Sequence, residues 1–178
     1  MNRRDFHRFG TVALGSVMGL VLAVPGVAYI LDPLRKRSKA GEFRTVARLE
    51  QLAIGVPQSF AIVDDRQDAW VRYPEEPIGS VWLVRQPDGA TPRVVAFTSE
   101  CPHLGCAVNL TKDKASQGLL FLCPCHDSAF SLAGEPRNKI PPRGMDTLET
   151  EVSGEPDPTV RVKFERFRTM SKEKIRLG

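Results

Sequence analysis

The sequence predicts an all-β protein: an antiparallel β head carrying a small subdomain, preceded by one transmembrane helix. Three observations predict it. Residues 10–31 are uncharged and rich in Val, Leu, Ala and Gly. From Arg44 onward, short apolar or alternating runs recur between turn signals, with little helical periodicity. All four cysteines and two of the three histidines are confined to two short boxes, 101–106 and 123–128.

The chain has 178 residues. Setting aside the front segments leaves roughly 130, enough for one domain with a real core. The positive charge is localised. Residues 1–41 hold seven Lys/Arg against Asp5 and Asp32, a net of +5, while the remainder holds 18 basic and 19 acidic groups. The tail from Arg161 to Arg176 is again basic, so 42–160 is net negative. A nucleic-acid binder places its positive charge on the folded domain. Here it flanks an apolar stretch instead, so no nucleic-acid partner is expected.

Residues 1–9 form the expected cytoplasmic region. Arg3-Arg4-Asp5-Phe6 resembles a twin-arginine export signal, the plain alternative being an ordinary positive flank. The anchor follows at 10–31. Its 22 residues would span about 33 Å as a helix, against a bilayer core of about 30 Å. No small-x-small cleavage site is evident, which favours an uncleaved anchor. Arg35, Lys36, Arg37 and Lys39 make the far flank equally positive, so charge counting alone leaves the orientation open. An export signal would set it. It implies a single-pass protein of the cell inner or plasma membrane, with its N-terminus cytoplasmic and its head on the periplasmic side. Residues 32–44, with Pro33 and Gly41, read as a linker or hinge.

The head, 45–178, reads as a series of strands. Candidates are Arg44–Leu52, Ser59–Val63, Trp70–Tyr73, Ser80–Arg85, Val94–Thr98, Leu119–Leu122, Ala129–Ser131, Leu148–Val152 and Thr159–Phe164. Pro87-Asp88-Gly89 is a turn, and Ser153 to Pro158 a hairpin-like loop. Lys112–Gln117 is a candidate helical turn. Trp70, Trp82, Phe97, Phe121 and Phe164 are expected in the core, and Asp64-Asp65 and Glu75-Glu76 in solvated turns.

The chemistry lies in the boxes. Box one is Cys101-Pro102-His103-Leu104-Gly105-Cys106, and box two is Cys123-Pro124-Cys125-His126-Asp127-Ser128. Each follows a predicted strand, so each should be a loop at a strand end. Cys-x-His and Cys-x-x-His together supply two thiolates and two imidazoles. That set suits tetrahedral zinc. It also suits a two-iron cluster with thiolates on one iron and imidazoles on the other. One cysteine per box is left over, and if the boxes face each other the two could bridge in an oxidising compartment.

Cys-Pro-His-Leu-Gly-Cys and Cys-Pro-Cys-His-x-Ser resemble the paired cluster-binding boxes of Rieske iron–sulfur proteins of cytochrome bc-type quinol oxidoreductases. The resemblance covers nearly the whole chain, from export signal to β head, with a cluster-binding subdomain at about 98–145. By position it implies one [2Fe-2S] cluster, with Cys101 and Cys123 on one iron and His103 and His126 on the other. It further implies a Cys106–Cys125 disulfide and a Ser128 hydroxyl donated to a cluster sulfur. Rieske oxygenases and their ferredoxins usually lack the two extra cysteines.

The resemblance also implies the function: quinol oxidation, with electrons passed to a cytochrome c-type acceptor alongside cytochrome b and cytochrome c-type subunits. His103 and His126 are the residues expected to meet quinol, coupling proton to electron transfer. Residues 33–43 would let the head swing. Two rivals share parts of the pattern: the small Rieske subunit of an arsenite oxidase and a structural zinc module.

Three departures matter. The family commonly reads Cys-His-Gly-Ser-x-Tyr, whereas this chain reads Cys125-His126-Asp127-Ser128-Ala129-Phe130. Phe130 lacks a hydroxyl to stabilise the reduced cluster, and Asp127 adds negative charge. Both predict a low potential, suited to a low-potential quinol such as menaquinol. Asp in place of Gly also leaves the local backbone conformation open. The proline loop, Ile140 to Asp146, is worded differently from the family's but is expected to cover the cluster.

Overall fold

A computed structural model describes residues 2–35, 41–68, 71–87, 89, 93–113 and 118–177. Helix α1, Arg3–Arg35, is 33 residues long, about 50 Å. It extends beyond the expected 10–31 at both ends and runs on through Pro25. Its apolar side chains point outward on every side, Leu14, Leu20, Val21, Leu22 and Ile30 among them. A helix apolar all round needs an apolar medium, and Arg3–Asp32 is long and apolar enough to cross a membrane. The body of the β head falls in a separate compact unit.

The head opens with β1 (Phe43–Arg48) and a single 3-10 turn, Leu49–Gln51. Next come β2 (Gln58–Asp68), β3 (Val71–Arg85) and β4 (Val94–Thr98). The strands β5 (Asn109–Lys112), β6 (Leu119–Cys123) and β7 (Ser128–Phe130) follow. The chain closes with β8 (Thr147–Leu148), β9 (Thr150–Ser153), β10 (Thr159–Lys163), β11 (Arg166–Phe167) and β12 (Arg176–Leu177). The described strands form sheets in the orders β1-β10-β9, β2-β3-β4-β8, β5-β6-β7 and β11-β12.

Two apolar clusters divide the work. The first contains Ile62, Val81, Leu83, Val160 and Val162 from the strands of the first two sheets, with Leu52 and Phe164 from the segments beside them. Phe164 fits against Gly79, where any Cβ would clash with the ring. The second contains Val84, Phe97, Val108, Phe121, Phe130 and Met145 together with Cys101 and Cys123. There Phe121 packs tilted against Trp82 and edge-on against Phe97, at 5.4 and 6.1 Å between ring centroids. The β5-β6-β7 sheet and its loops are built on this second cluster.

The expected β class holds, with local corrections. Trp70–Tyr73 and Ser80–Arg85 were expected as separate strands, but one strand, β3, runs from Val71 to Arg85. Glu75-Glu76 therefore lies within a strand, and so does Asp64-Asp65, in β2. Asp64 is no solvated turn residue: it pairs with Arg44 at 2.6 Å, both side chains mostly buried. Arg44–Leu52 ends as a strand at Arg48 because Leu49–Gln51 turns. Phe97, Phe121 and Phe164 are buried as expected, while Trp82 is partly buried. Trp70, Asp88, Lys36 to Ala40 of the linker and most of the expected 112–117 turn lie outside the described residues.

Candidate metal centre

Both boxes are loops that leave the ends of strands. Box one follows β4, and Glu100 bridges to Ala107 across its base. Within it the Cys101 amide donates to the Cys106 carbonyl and the Gly105 amide to the Cys101 carbonyl, each at 2.8 Å. Gly105 takes φ 79°, a conformation that favours glycine. Trp82 Nε1 donates to the Val108 carbonyl at 3.0 Å and ties the loop's exit to β3.

Box two is the turn of the β6–β7 hairpin, whose last pair is Cys123 with Ser128. Asp127 makes the turn with φ 58°, a left-handed conformation that Asp tolerates better than most residues. The position that the family fills with Gly therefore keeps a glycine-like backbone. Asn138 Nδ2 donates to the Asp127 carbonyl at 2.6 Å and fixes it from outside the box.

The two boxes are covalently joined. Cys106 and Cys125 form a disulfide with Cα atoms 6.5 Å apart. The sulfurs of Cys106, Cys123 and Cys125 all lie within 4.8 Å of one another. Two of these are spent in the disulfide, so that trio is no metal site. The free thiols are Cys101 and Cys123, both buried. Burial is the main influence on the Cys101 thiol and raises its pKa. Hydrogen bonds from the His103 amide and the Ser128 hydroxyl pull the other way, while the neighbouring Cys123 raises it further. The Ser128 side chain is fully buried, and its Oγ finds no oxygen or nitrogen partner.

The imidazoles face outward. His126 is exposed and His103 half-buried, with ring centroids 4.9 Å apart and planes at 85°. The boxes thus bring together two buried thiols and two imidazoles near the surface. The donor set fits a mixed-ligand two-iron cluster. Soft thiolates suit iron–sulfur chemistry, and metal binding would reverse the cost of deprotonating a buried thiol. The Ser128 hydroxyl beside Cys101 has no oxygen or nitrogen partner, and a cluster sulfur would give it a natural acceptor.

Met145 of the proline loop packs in the same apolar cluster as Cys101 and Cys123. The Met145 amide donates to the Gly134 carbonyl at 2.8 Å. Arg143 grips Asp146 with two bonds, of 2.9 and 2.6 Å, both side chains being nearly buried. Sequence reasoning singled out neither Asn138 nor the Arg143–Asp146 pair as functional. An Arg three residues before an Asp reads as a surface pair until burial is known.

Residues 42–149 match the Rieske [2Fe-2S] domain. The chain is 30% identical to a menaquinol:cytochrome c reductase iron–sulfur subunit of Bacillus subtilis (strain 168), over 85% of this chain and 87% of that one. It is 27% identical to the subunit of the same name from Geobacillus thermodenitrificans, over 85% and 86%. Among solved structures, a cyanobacterial plasma membrane Rieske protein from Synechocystis PCC 6803 aligns at 28% identity and a TM-score of 0.43, covering 68% of this chain and 99% of that one. With its two cysteine–histidine boxes joined by a disulfide, this chain belongs to the Rieske [2Fe-2S] family, whose cofactor is one two-iron, two-sulfur cluster.

Proposed function

We propose that this chain is the electron-transfer subunit of a membrane-bound quinol:cytochrome c oxidoreductase, with menaquinol as the quinol. The observation that carries the reading is the pairing of buried thiols Cys101 and Cys123 with the outward imidazoles His103 and His126. The relatives from Bacillus and Geobacillus are named as menaquinol:cytochrome c reductase subunits. They favour this branch over an arsenite oxidase subunit.

The thiolates of Cys101 and Cys123 would hold one iron and the imidazoles of His103 and His126 the other. Once bound, the cluster supplies one-electron transfer at a potential set by its surroundings. The protein supplies the rest. Phe97, Phe121 and Phe130 give the thiol side a dry, low-dielectric floor. Ser128 would donate its hydroxyl toward a cluster sulfur and so favour the reduced state. Exposed His126 offers quinol a ring nitrogen that accepts a hydrogen bond and then a proton. The Cys106–Cys125 bridge keeps the two loops in register.

The remaining parts follow the same reading. Residues 10–31 anchor the chain, 32–44 form a linker, 45–178 form the head, and 98–145 hold the cluster. The twin-arginine signal sets the head on the periplasmic side, where a disulfide persists. Cytochrome b and a cytochrome c-type subunit are the partners. Purification of the tagged chain from membranes tests this. The expected result is co-purification of cytochrome b and two irons with two sulfides per chain. Zinc without iron would overturn the cluster, and a molybdoenzyme in place of cytochrome b would overturn the branch.

A further inference from the structure

The C-terminal segment contacts the site directly, although it lies beyond the residues that match the family, 42–149. Strands β11 and β12 pair, Arg166 with Leu177 and Phe167 with Arg176. The segment between them is carried back against box one. There the Met170 amide donates to two carbonyls, Pro102 at 3.0 Å and His103 at 3.1 Å. Met170 adopts φ 55° to do so, and its side chain is 63% exposed. The contact is therefore made by the backbone.

A buried latch holds the segment in place. Arg143, already bound to Asp146, also donates to the Ser171 carbonyl at 2.6 Å and to the Arg168 carbonyl at 2.9 Å. These carbonyls flank Met170 on both sides. A single planar guanidinium with several donors in fixed geometry thus ties the proline loop to the C-terminal segment.

The bonding continues inward. The Pro102 carbonyl belongs to the same peptide group as the His103 amide, and that amide donates to the Cys101 sulfur. The Met170 N–H therefore polarises a peptide whose own N–H points at a candidate ligand. Such chains strengthen each bond within them. The Met170 bond to the His103 carbonyl fixes the next peptide too, so both peptides flanking His103 are held.

We propose that Arg168–Ser171 is a strap, latched by Arg143, that raises the electron affinity of the metal centre. It does so by polarising the Pro102–His103 peptide and positioning His103. Met170 and Arg143 are positioning residues, acting through other groups. The inference rests on reading the boxes as the cluster site.

The test is a redox titration of the full-length protein in detergent, followed by the electron spin resonance of the reduced cluster. Met170→Pro removes the N–H, and Met170→Gly keeps it while suiting the positive φ. In Met170→Pro the ratio of reduced to oxidised cluster at a fixed poise should fall about threefold to tenfold, the upper figure being ~59 mV for one electron. Its resonance positions should shift as well. Met170→Gly should titrate as the wild type does. If Met170→Pro assembles no cluster, Arg143→Lys should show a smaller shift in the same direction. An unchanged potential in Met170→Pro, or in Arg143→Lys where that variant substitutes for it, would overturn the strap and leave the cluster reading standing. A wild-type protein without the resonance would overturn both.

Discussion

Asp127, Ser128 and Phe130 lie within four residues of one another and set the site in different ways. Asp127 is fixed by conformation: its φ of 58° excludes β-branched residues. Asp127→Val should destabilise the head by about 1–2 kcal/mol, while Asp127→Gly should melt at or above the wild-type temperature. Equal melting temperatures for Val and Gly would contradict this. Its carboxylate is exposed, so water screens its influence on the cluster more than the sequence alone suggested. Phe130 is fully buried beside Cys101 and Cys123, so the missing hydroxyl is the stronger reason to expect a low potential. Phe130→Tyr should raise the ratio of reduced to oxidised cluster at a fixed poise by up to about tenfold, and Ser128→Ala should lower it similarly, each change being up to ~59 mV. Redox titration of both variants checks the two signs. At this scale the candidate ligands were legible because chemistry concentrated them in two boxes. Asn138 was not, because its role is a single bond to the Asp127 carbonyl and leaves no pattern in the chain.

The loops and strands show where local pattern reading succeeds and fails. β4, β6 and β10 were readable as apolar or alternating runs. β3 was not, since Pro74, Glu75, Glu76 and Pro77 look like a break, yet the strand carries them through. β5 was missed because Asn109-Leu110-Thr111 has little apolar content of its own. It pairs with β6 from Asn109–Leu122 to Lys112–Leu119, a long-range partnership that propensity does not report. The disulfide is the decisive element-scale feature of the site. It closes a span of 19 residues, which corresponds to about 3 kcal/mol of loop-closure entropy. Cys106→Ser should lower thermal stability by roughly that amount and speed cluster loss during dialysis against a chelator. A variant that keeps both its melting temperature and its cluster would show that the loops hold register without the bridge.

The chain pairs a long apolar helix with a β head that carries both cysteine–histidine boxes. Sequence charge and hydropathy made that division legible. The anchor's limits were less so, because helix α1 continues to Arg3 and Arg35 through charged residues that hydropathy excludes. The C-terminal strap was the least legible part, since its sequence reads only as a basic tail and its contacts with box one are made by backbone. If residues 33–43 act as a hinge, replacing part of them with a proline run should slow quinol:cytochrome c turnover. The head's resonance should not change. Unchanged turnover would count against a moving head.

The most direct measurement is metal and sulfide analysis of the purified chain, with the resonance spectrum of its reduced form, for wild type, His103→Ala and His126→Ala. The assignment of Cys101, His103, Cys123 and His126 predicts two irons and two sulfides in the wild type. It also predicts a mixed-ligand signal that is lost or altered in both variants. A zinc-loaded protein without iron, or a signal indifferent to both histidines, would contradict it.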